Sequence, residues 1–414
     1  MSHALRNVTA LVRRHAHRHE SLLTARAAVL SLRLAQYRSH ADTVLETGGA
    51  SVVLTGPNGS GKTNLIEAVS QLVPGRGLRR ASPENAVRRP DRLGWRLRAE
   101  VDTGAEEIEI VTGVEDPDSP RRTVEIDGKA AAQTALGRHL RMVWLTPAMD
   151  RLWTEAASDR RQFLDRMAMG FQPDHAEAAI AYEKAMRARN KLLKDGREGV
   201  RADPAWLGGL EAQMARAAAR LARARAEALA ALEAAQNEAE TLFPRATLSI
   251  VGPMEMRFAE VLARGGGTGA DLDSVEPGEA ADMARALEAA RPRDAAAGRT
   301  LEGPHRSDLE AVYAAKNMPA RQCSTGEQKA LLISLCLANA RALAAAHGAA
   351  PILLFDELAA HLDERRRRAL YDEIAALGAQ AWMTGTGPEL FEGLAGARGF
   401  AVRDEDGRSV VEAA

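Results

Sequence analysis

Cysteine is nearly missing: two in 414 residues, Cys323 and Cys336. They stand thirteen positions apart in a stretch that reads as one helix, which at ~1.5 Å rise per residue separates them by roughly 20 Å. A disulfide needs Cα atoms within about 7 Å, so the pair cannot bridge, and a reduced, cytoplasmic protein is the simple reading. Aromatic residues make up only 4%, which disfavours stacking platforms of the kind that bind single strands. Charge of one sign is also lacking. The net charge is -1, so the chain is no polycation, and any nucleic-acid binding has to come from a local basic patch. No apolar run reaches the ~18–20 residues of a membrane span, and no secretory segment is visible. What the chain has in quantity is apolar residues, at 46%, enough to build a core and to exclude global disorder.

Residues 1–28 are rich in Arg, His and Ser. A transit peptide has this composition; a disordered extension or a start codon assigned too early is the plainer reading. Val29–Gln36 (VLSLRLAQ) alternates as a half-buried strand does, and Tyr37-Arg38-Ser39-His40 breaks it. Residues 91–130 read as antiparallel strands ending in an Asp-Gly turn signal. From about Ser158 to Glu240 the composition is helical, interrupted at Pro204. Arg264 to about Gly278 is Gly- and Asp-rich and reads as a loop, followed by a helix over Ala280–Ala290. Pro351–Phe355 is a continuous apolar strand suited to the middle of a covered sheet.

Gly56-Pro57-Asn58-Gly59-Ser60-Gly61-Lys62-Thr63 matches G-x-x-x-x-G-K-[ST], with a β-branched strand before it and an amphipathic helix after it. The glycines let backbone N–H groups close around phosphate. Lys62 is expected to reach the β- and γ-phosphates of ATP and Thr63 to ligate Mg²⁺. Ile352-Leu353-Leu354-Phe355 delivers Asp356 and Glu357 to a strand end. Asp356 is expected to hold Mg²⁺, and Glu357 to orient or deprotonate the attacking water. Alone, that pattern is also a strand ending in helix-capping acids; the complete P-loop favours the functional reading. Ser324-Thr325-Gly326-Glu327-Gln328 stands at the head of an apolar helix shortly before that strand. Ser324 with Glu327 can be a plain capping box. A capping box requires neither Gly326 nor Gln328, and the position suits an ABC signature, in which a helix N-terminus and serine bind the γ-phosphate held by a second subunit.

These segments together resemble the RecF family. The resemblance rests on CSTGEQKALL, PILLFDELAAHLD and WMTGT, on Gly303–Leu309, on Trp144–Pro147 with Met149–Leu152, and on Arg160–Arg166 and Arg189–Leu193. It runs from about Val29 to about Arg403. Tyr37-Arg38-Ser39-His40 is similar to an aromatic-Arg motif that this family shares with SMC-type ATPases, and so places Arg38 at the nucleotide. The resemblance implies an α/β fold: an ABC-type P-loop ATPase head with an antiparallel β subdomain and an inserted helical lobe. The expected division is an N-terminal part of the head over 29–157, a mainly helical lobe over 158–292 and a C-terminal part of the head over 293–414. It also implies an ATP-dependent homodimer with Ser324–Gln328 acting in trans and Asp363 in the D-loop. Further implied are sequence-independent binding of duplex or gapped DNA, slow DNA-stimulated hydrolysis, work with RecO and RecR to load RecA at single-strand gaps in repair, replication maintenance and the SOS response, and no membrane. The 1–28 segment lies outside the family pattern. Thr384-Gly385-Thr386 stands where transporter ATPases carry a switch histidine, and Gln133 and Gln162 are candidates for a γ-phosphate-sensing glutamine.

Arg76, Arg79, Arg80, Arg88, Arg89, Arg92, Arg96 and Arg98 crowd one stretch with only Glu84 and Asp91 opposing. As a patch they suit phosphate contact; as a paired surface they suit nothing in particular, and the resemblance tips the reading to DNA. Arg365–Arg368 spread around a helix and read as solvated surface. The alternative function is an SMC-type structural ATPase head. It needs long coiled-coil arms, whereas the helical insert of about 83 residues gives a hairpin of roughly 60 Å at ~1.5 Å per residue. A transporter subunit or an ATPase–nuclease fusion fits less well, for want of a switch histidine and of a C-terminal acidic domain.

Overall fold

Alternation in the first strand-like segment produces β1 (Ala28–Tyr37), which buries Val29, Leu32, Leu34 and Tyr37. The computed structural model describes residues 26–89, 91–119, 121–197, 203–264 and 269–414, so nearly all of the 1–28 extension lies outside the described residues. β1 reverses at Arg38-Ser39 into β2 (His40–Glu46), with Tyr37 opposite His40. Arg38 takes φ 55° at that two-residue turn. β4 (Trp95–Asp102), β5 (Glu107–Val114), β6 (Thr123–Ile126) and β7 (Lys129–Ala130) complete an antiparallel sheet of order β2-β1-β4-β5-β6-β7. Tyr37 and Trp95 meet edge to face, 5.2 Å between ring centroids, a geometry that adds to the area they bury.

A second sheet has the order β15-β14-β3-β13-β12-β8. Its members are β3 (Val52–Thr55), β8 (Met142–Leu145), β12 (Ile352–Phe355), β13 (Ala381–Gly385), β14 (Arg398–Glu405) and β15 (Arg408–Ala413). All neighbours pair in parallel except the β14–β15 hairpin. The central parallel strands are largely apolar because both faces are covered; β8, β12 and β13 are buried at every position, whereas the outer strand β14 carries Arg398, Arg403, Asp404 and Glu405. The two helices that flank the motifs are α1 (Lys62–Ser70), directly after the P-loop, and α9 (Thr325–His347), ahead of β12. By length and a mean hydropathy of 1.5, α9 could cross a membrane, but 72% of that window is buried, as expected of a core helix that is apolar all round. Together with α10 (Glu364–Leu377) and the short α2 (Leu136–His139) these elements make a head unit that, among the described residues, takes in 26–151, Glu238–Arg245 and Ser324–Ala414.

The other unit, Leu152–Asn237 with Ala246–Cys323, is mainly helical. It holds α3 (Ala157–Phe171), α4 (His175–Arg197), α5 (Pro204–Glu238), α6 (Pro253–Ala263), α7 (Gly269–Ala289) and α8 (Arg291–Ala297), with β9 (Ala246–Val251), β10 (Asp308–Tyr313) and β11 (Met318–Pro319) as a small antiparallel sheet. Pro204 starts α5, where a missing N–H costs nothing. The core is alanine-rich, with Ala215, Ala218, Ala219 and Ala222 of α5 packed near Met214, Phe258 and Leu287. Fully buried Arg189 gives it a polar centre, bonded to Glu211, Asp294, Thr300 and the Leu287 carbonyl at 2.7–3.0 Å, so the buried charge is paired and its donors are used.

Two expectations change. The segment read as a loop up to Gly278 is helical from Gly269, in α7. Leu272, Glu279, Met283 and Leu287 recur on one buried stripe of that helix, and the stripe outweighs the Gly and Pro signals. Cys323 does not share a helix with Cys336: it precedes Ser324, the N-cap of α9, while Cys336 lies within α9. Both thiols are free and buried.

Candidate functional site

The carboxyl ends of β3, β13 and β12 lie side by side in the second sheet, and the turns leaving those strands carry the site. After β3 the chain enters Gly56–Thr63. Gly56 has φ 147°, and a Cβ there would stand 2.1 Å from the Val402 carbonyl oxygen of β14. Gly61 has φ 107°, and its Cβ would stand 2.1 Å from Ser409 Oγ of β15. Only glycine satisfies both the dihedral and the space. Pro57, Asn58 and Gly59 are exposed, whereas Ser60 is buried and its hydroxyl has no partner among the described residues. Gly61 caps α1 in the left-handed region with no side-chain cap and no acid in the first turn. That leaves helix N–H groups and the positive end of the helix dipole for an anion.

Lys62 folds over the loop, and its Nζ donates to the Gly56 and Pro57 carbonyls at 2.7 Å each. Burial lowers its pKa from the ordinary lysine value, and Glu357 and Asp356 oppose that shift. Thr63 Oγ1 donates to Asp356 Oδ1 at 3.0 Å, and Thr384 Oγ1 of β13 donates to the same oxygen at 2.8 Å. The Glu357 N–H donates to Thr384 Oγ1 at 2.7 Å. Glu357 takes φ 54°, a conformation uncommon for a residue with a side chain and enriched at functional sites. Thr384 therefore holds both acids with one hydroxyl, a role its place as a substitute for the switch histidine did not reveal.

His40 was visible only as part of the strand break. It is fully buried, with Nδ1 3.0 Å from Thr43 Oγ1 and Nε2 3.2 Å from the Gly61 carbonyl. Burial pushes its pKa down to about 4, against the opposing effect of the Gly61 carbonyl, so the ring is neutral at pH 7. Arg38 lies on the loop's helix side, its Nε and Nη2 on the Glu67 carboxylate at 2.9 and 2.6 Å and its Nη1 on the Asn85 carbonyl at 2.7 Å. Burial lowers its pKa, but Glu67 outweighs burial and raises the guanidinium above its ordinary value.

Ser324 caps α9. Its hydroxyl accepts from the Glu327 N–H at 3.4 Å, and Glu327 Oε2 accepts from the Ser324 N–H at 2.9 Å. The capping box is therefore real. Ser324, Thr325 and Gly326 are exposed, Gln328 is buried, and a Cβ at Gly326 would meet nothing within 4 Å. Gly326 is thus not needed for packing inside this chain. Lys329, one turn on, pairs with Asp150 at 3.0 Å. Asp363 is the N-cap of α10, accepting from the Arg366 N–H at 2.8 Å. Gln133 is committed to Arg122, accepting from its guanidinium at 3.2 Å and donating to its carbonyl at 3.1 Å, while Gln162 is exposed on α3.

The arginine-rich stretch is largely paired. Arg88 bonds Asp91 at 2.5 Å, Arg92 bonds Asp118, Arg96 approaches Glu125 at 3.9 Å, and Arg98 bonds Glu109. Arg79 bonds Asn64 at 2.8 Å and reaches Glu67 at 3.4 Å. Most of these acids come from neighbouring strands and loops, so they do not show within the stretch itself. Arg76 and Arg89 are exposed and form no ion pair among the described residues.

The sequence matches a family model described as the RecF/RecN/SMC N terminal domain over residues 28–404. A protein of Caulobacter vibrioides named DNA replication and repair protein RecF is 47% identical over 390 residues, 92% of this chain and 97% of that one. The chain belongs to the RecF family. A RecF protein of Brucella suis, with the same full name, is 46% identical over 374 residues, 90% of this chain and 93% of its own. Among solved structures, the recombination mediator protein RecF, described with ATPrS in the RecFOR pathway, has a TM-score of 0.76, with 21% identity over 93% of this chain and 98% of that one. At that identity the likeness speaks for the fold, an ABC-type ATPase head with a helical part.

Proposed function

We propose that the chain is an ATP-switched DNA-binding protein of recombinational repair, with ATP and Mg²⁺ held by Gly56–Thr63, Asp356 and Glu357. The observation that carries this reading is the convergence of Thr63, Thr384, Asp356 and Glu357 at the strand ends beside the P-loop. Glycine-only positions with orphaned donors suit a polyphosphate, and the hydroxyl–carboxylate set around Asp356 suits a hard divalent cation. When bound, Mg²⁺ supplies charge neutralisation. Lys62 exchanges its two carbonyl acceptors for phosphate oxygens, a stronger charge-assisted contact. Glu357 takes the proton of the attacking water. Ser324, Thr325, Gly326, Glu327 and Gln328 serve the nucleotide of a second copy, with Asp363 nearby; exposed Ser324–Gly326 and the unfilled space at Gly326 support a partner from outside the chain. Arg38 acts through Glu67 on α1.

Hydrolysis is slow and DNA-stimulated and resets a dimer on duplex or gapped DNA, with RecO and RecR as partners and RecA loading as the outcome. DNA contact is backbone-directed and salt-sensitive. Because most of Arg79–Arg98 is ion-paired, Arg76 and Arg89 are the better candidates in that stretch. The helices α4 and α5, of 23 and 35 residues, do not provide the arms an SMC-type head would use.

Gel filtration at fixed protein concentration tests the clamp. Monomer without nucleotide, dimer with ATP and Mg²⁺, and co-elution of the dimer with gapped duplex DNA are expected. An elution volume unmoved by ATP contradicts the reading.

Replacing Thr384 with Val keeps the shape and removes the hydroxyl. Asp356 then loses a donor and the Glu357 N–H its acceptor. The expected result is a kcat lower by ~10–10²-fold, the range for small misplacement of reacting groups, with ATP affinity close to wild type. Phosphate release and nucleotide titration measure the two separately; unchanged kcat removes Thr384 from the positioning role.

A further inference from the structure

We infer that Ser409, on the C-terminal hairpin, positions the phosphate-binding loop by anchoring the Ser60 carbonyl at the inner end of an oriented line of hydrogen bonds that starts at Arg79. This rests on the nucleotide reading of the P-loop and adds a residue far from every motif in the sequence.

Ser409 lies on β15 and is 2% exposed. Its N–H donates to the Ser39 carbonyl at 2.9 Å, which stitches β15 to the β1–β2 turn. Its Oγ lies 2.6 Å from the Ser60 carbonyl and 2.7 Å from Ser39 Oγ. Asn64 Nδ2 lies 2.7 Å from Ser39 Oγ, and Asn64 Oδ1 lies 2.8 Å from Arg79 Nη1.

The direction of this line is fixed at its outer end. A guanidinium has donors only, so Asn64 must turn its carbonyl to Arg79 and its NH₂ to Ser39. Ser39 Oγ accepts there and spends its one proton on Ser409 Oγ. Ser409 accepts from Ser39 and spends its own proton on the Ser60 carbonyl, the acceptor that can take nothing else. Each hydroxyl in the line accepts once and donates once.

The peptide plane converts this anchor into loop geometry. In a planar trans peptide the C=O and the following N–H point in opposite directions. Holding the Ser60 carbonyl against β15 therefore turns the Gly61 N–H to the other side of the loop. Among the described residues no hydrogen bond uses that N–H, and it belongs to the loop segment expected to cradle phosphate. The contact is also why Gly61 cannot carry a side chain, since a Cβ would stand 2.1 Å from Ser409 Oγ and 2.8 Å from Ser39 Oγ.

The test compares wild type, Ser409→Ala, Ser39→Ala, Ser39→Thr and the double alanine variant by titration with a fluorescent ATP analogue and Mg²⁺, at a temperature where circular dichroism shows all of them folded. Ser409→Ala leaves the buried Ser60 carbonyl without its donor, and about 10-fold weaker binding is expected. The loss falls on Kd and KM rather than on kcat, as for a binding group. Ser39→Ala keeps that donor but removes the partner that orients the Ser409 hydroxyl, so a smaller loss is expected, and the double variant is no worse than Ser409→Ala, since both changes act through the one anchor. Ser39→Thr keeps the hydroxyl and restores binding. A merely structural role lowers the melting temperature of the free protein and leaves Kd at the wild-type value; that result overturns the inference, as does additive loss in the double variant. If Ser409→Ala does not fold, Ser39→Ala at its half-buried position decides by the same readouts. Failure of the nucleotide reading is distinguishable, because wild type would then not bind the analogue at all.

Discussion

Glu357→Gln is expected to bind ATP, form the ATP-dependent dimer and then stall, with turnover lowered by ~10²–10⁴-fold, the usual cost of losing a general base. The residue is held in φ 54° by its place between β12 and the turn after it, and its N–H is bonded to Thr384 Oγ1. Neither constraint involves the carboxylate. The amide has the same shape, so the backbone, the loop and Asp356 keep their arrangement. What changes is that the amide cannot accept a proton from water. The dimer should therefore accumulate with ATP and persist on DNA. Single-turnover phosphate release and gel filtration give the two halves of this result. Wild-type hydrolysis by the variant would make Glu357 a turn residue with no part in the chemistry.

Lys62→Ala is expected to have the opposite signature: loss of binding itself. In the free protein the ammonium bridges the Gly56 and Pro57 carbonyls at 2.7 Å, so it stands at the mouth of the loop, on the chain's own acceptors. Phosphate is a better acceptor because the bond is charge-assisted at both ends, and that difference drives the exchange. Alanine removes the cation, and ATP affinity is expected to fall by about 10–10²-fold, the equivalent of one lost charge-assisted bond. Dimerisation at sub-saturating ATP falls with it. Nucleotide titration and elution volume at matched protein concentration measure both. Unchanged affinity removes Lys62 from the site.

What the sequence displays and what it hides differ for a physical reason. The P-loop, the β12 acids and the α9 cap are runs of adjacent residues, each with chemistry that needs that spacing, and they can be read one after another. Thr384 is legible only as something in a histidine's place, because its two hydrogen bonds, donated to the Asp356 carboxylate and accepted from the Glu357 N–H, depend on β13 lying next to β12. Ser409 is illegible, since its contact with Ser60 spans the chain and comes from the pairing of β14 with β3. The arginine stretch misleads in the same way: the acids that pair with it lie on β5, β6 and a loop, brought across by strand register. Helix α7 shows the converse. Its Gly and Pro residues signal a loop locally, and the spacing of Leu272, Met283 and Leu287 against the core overrides them. Ser324 remains double-natured, since a capping box is present in full and a signature would use the same helix end.

That double nature defines the most direct measurement of the central claim, a nucleotide shared between two copies. Lys62→Ala keeps Ser324 and its neighbours; Ser324→Ala keeps the loop. Each variant alone is expected to be nearly inactive as an ATPase, and Ser324→Ala to bind ATP as a monomer almost normally. If Ser324 were only a cap, its loss would cost about 0.5–2 kcal/mol of stability and leave pairing intact. Mixing the two variants is the deciding step, because a mixed dimer contains one complete composite site. The account predicts that ATPase activity returns in part on mixing; two inactive variants that form mixed dimers by pull-down and never complement would contradict it.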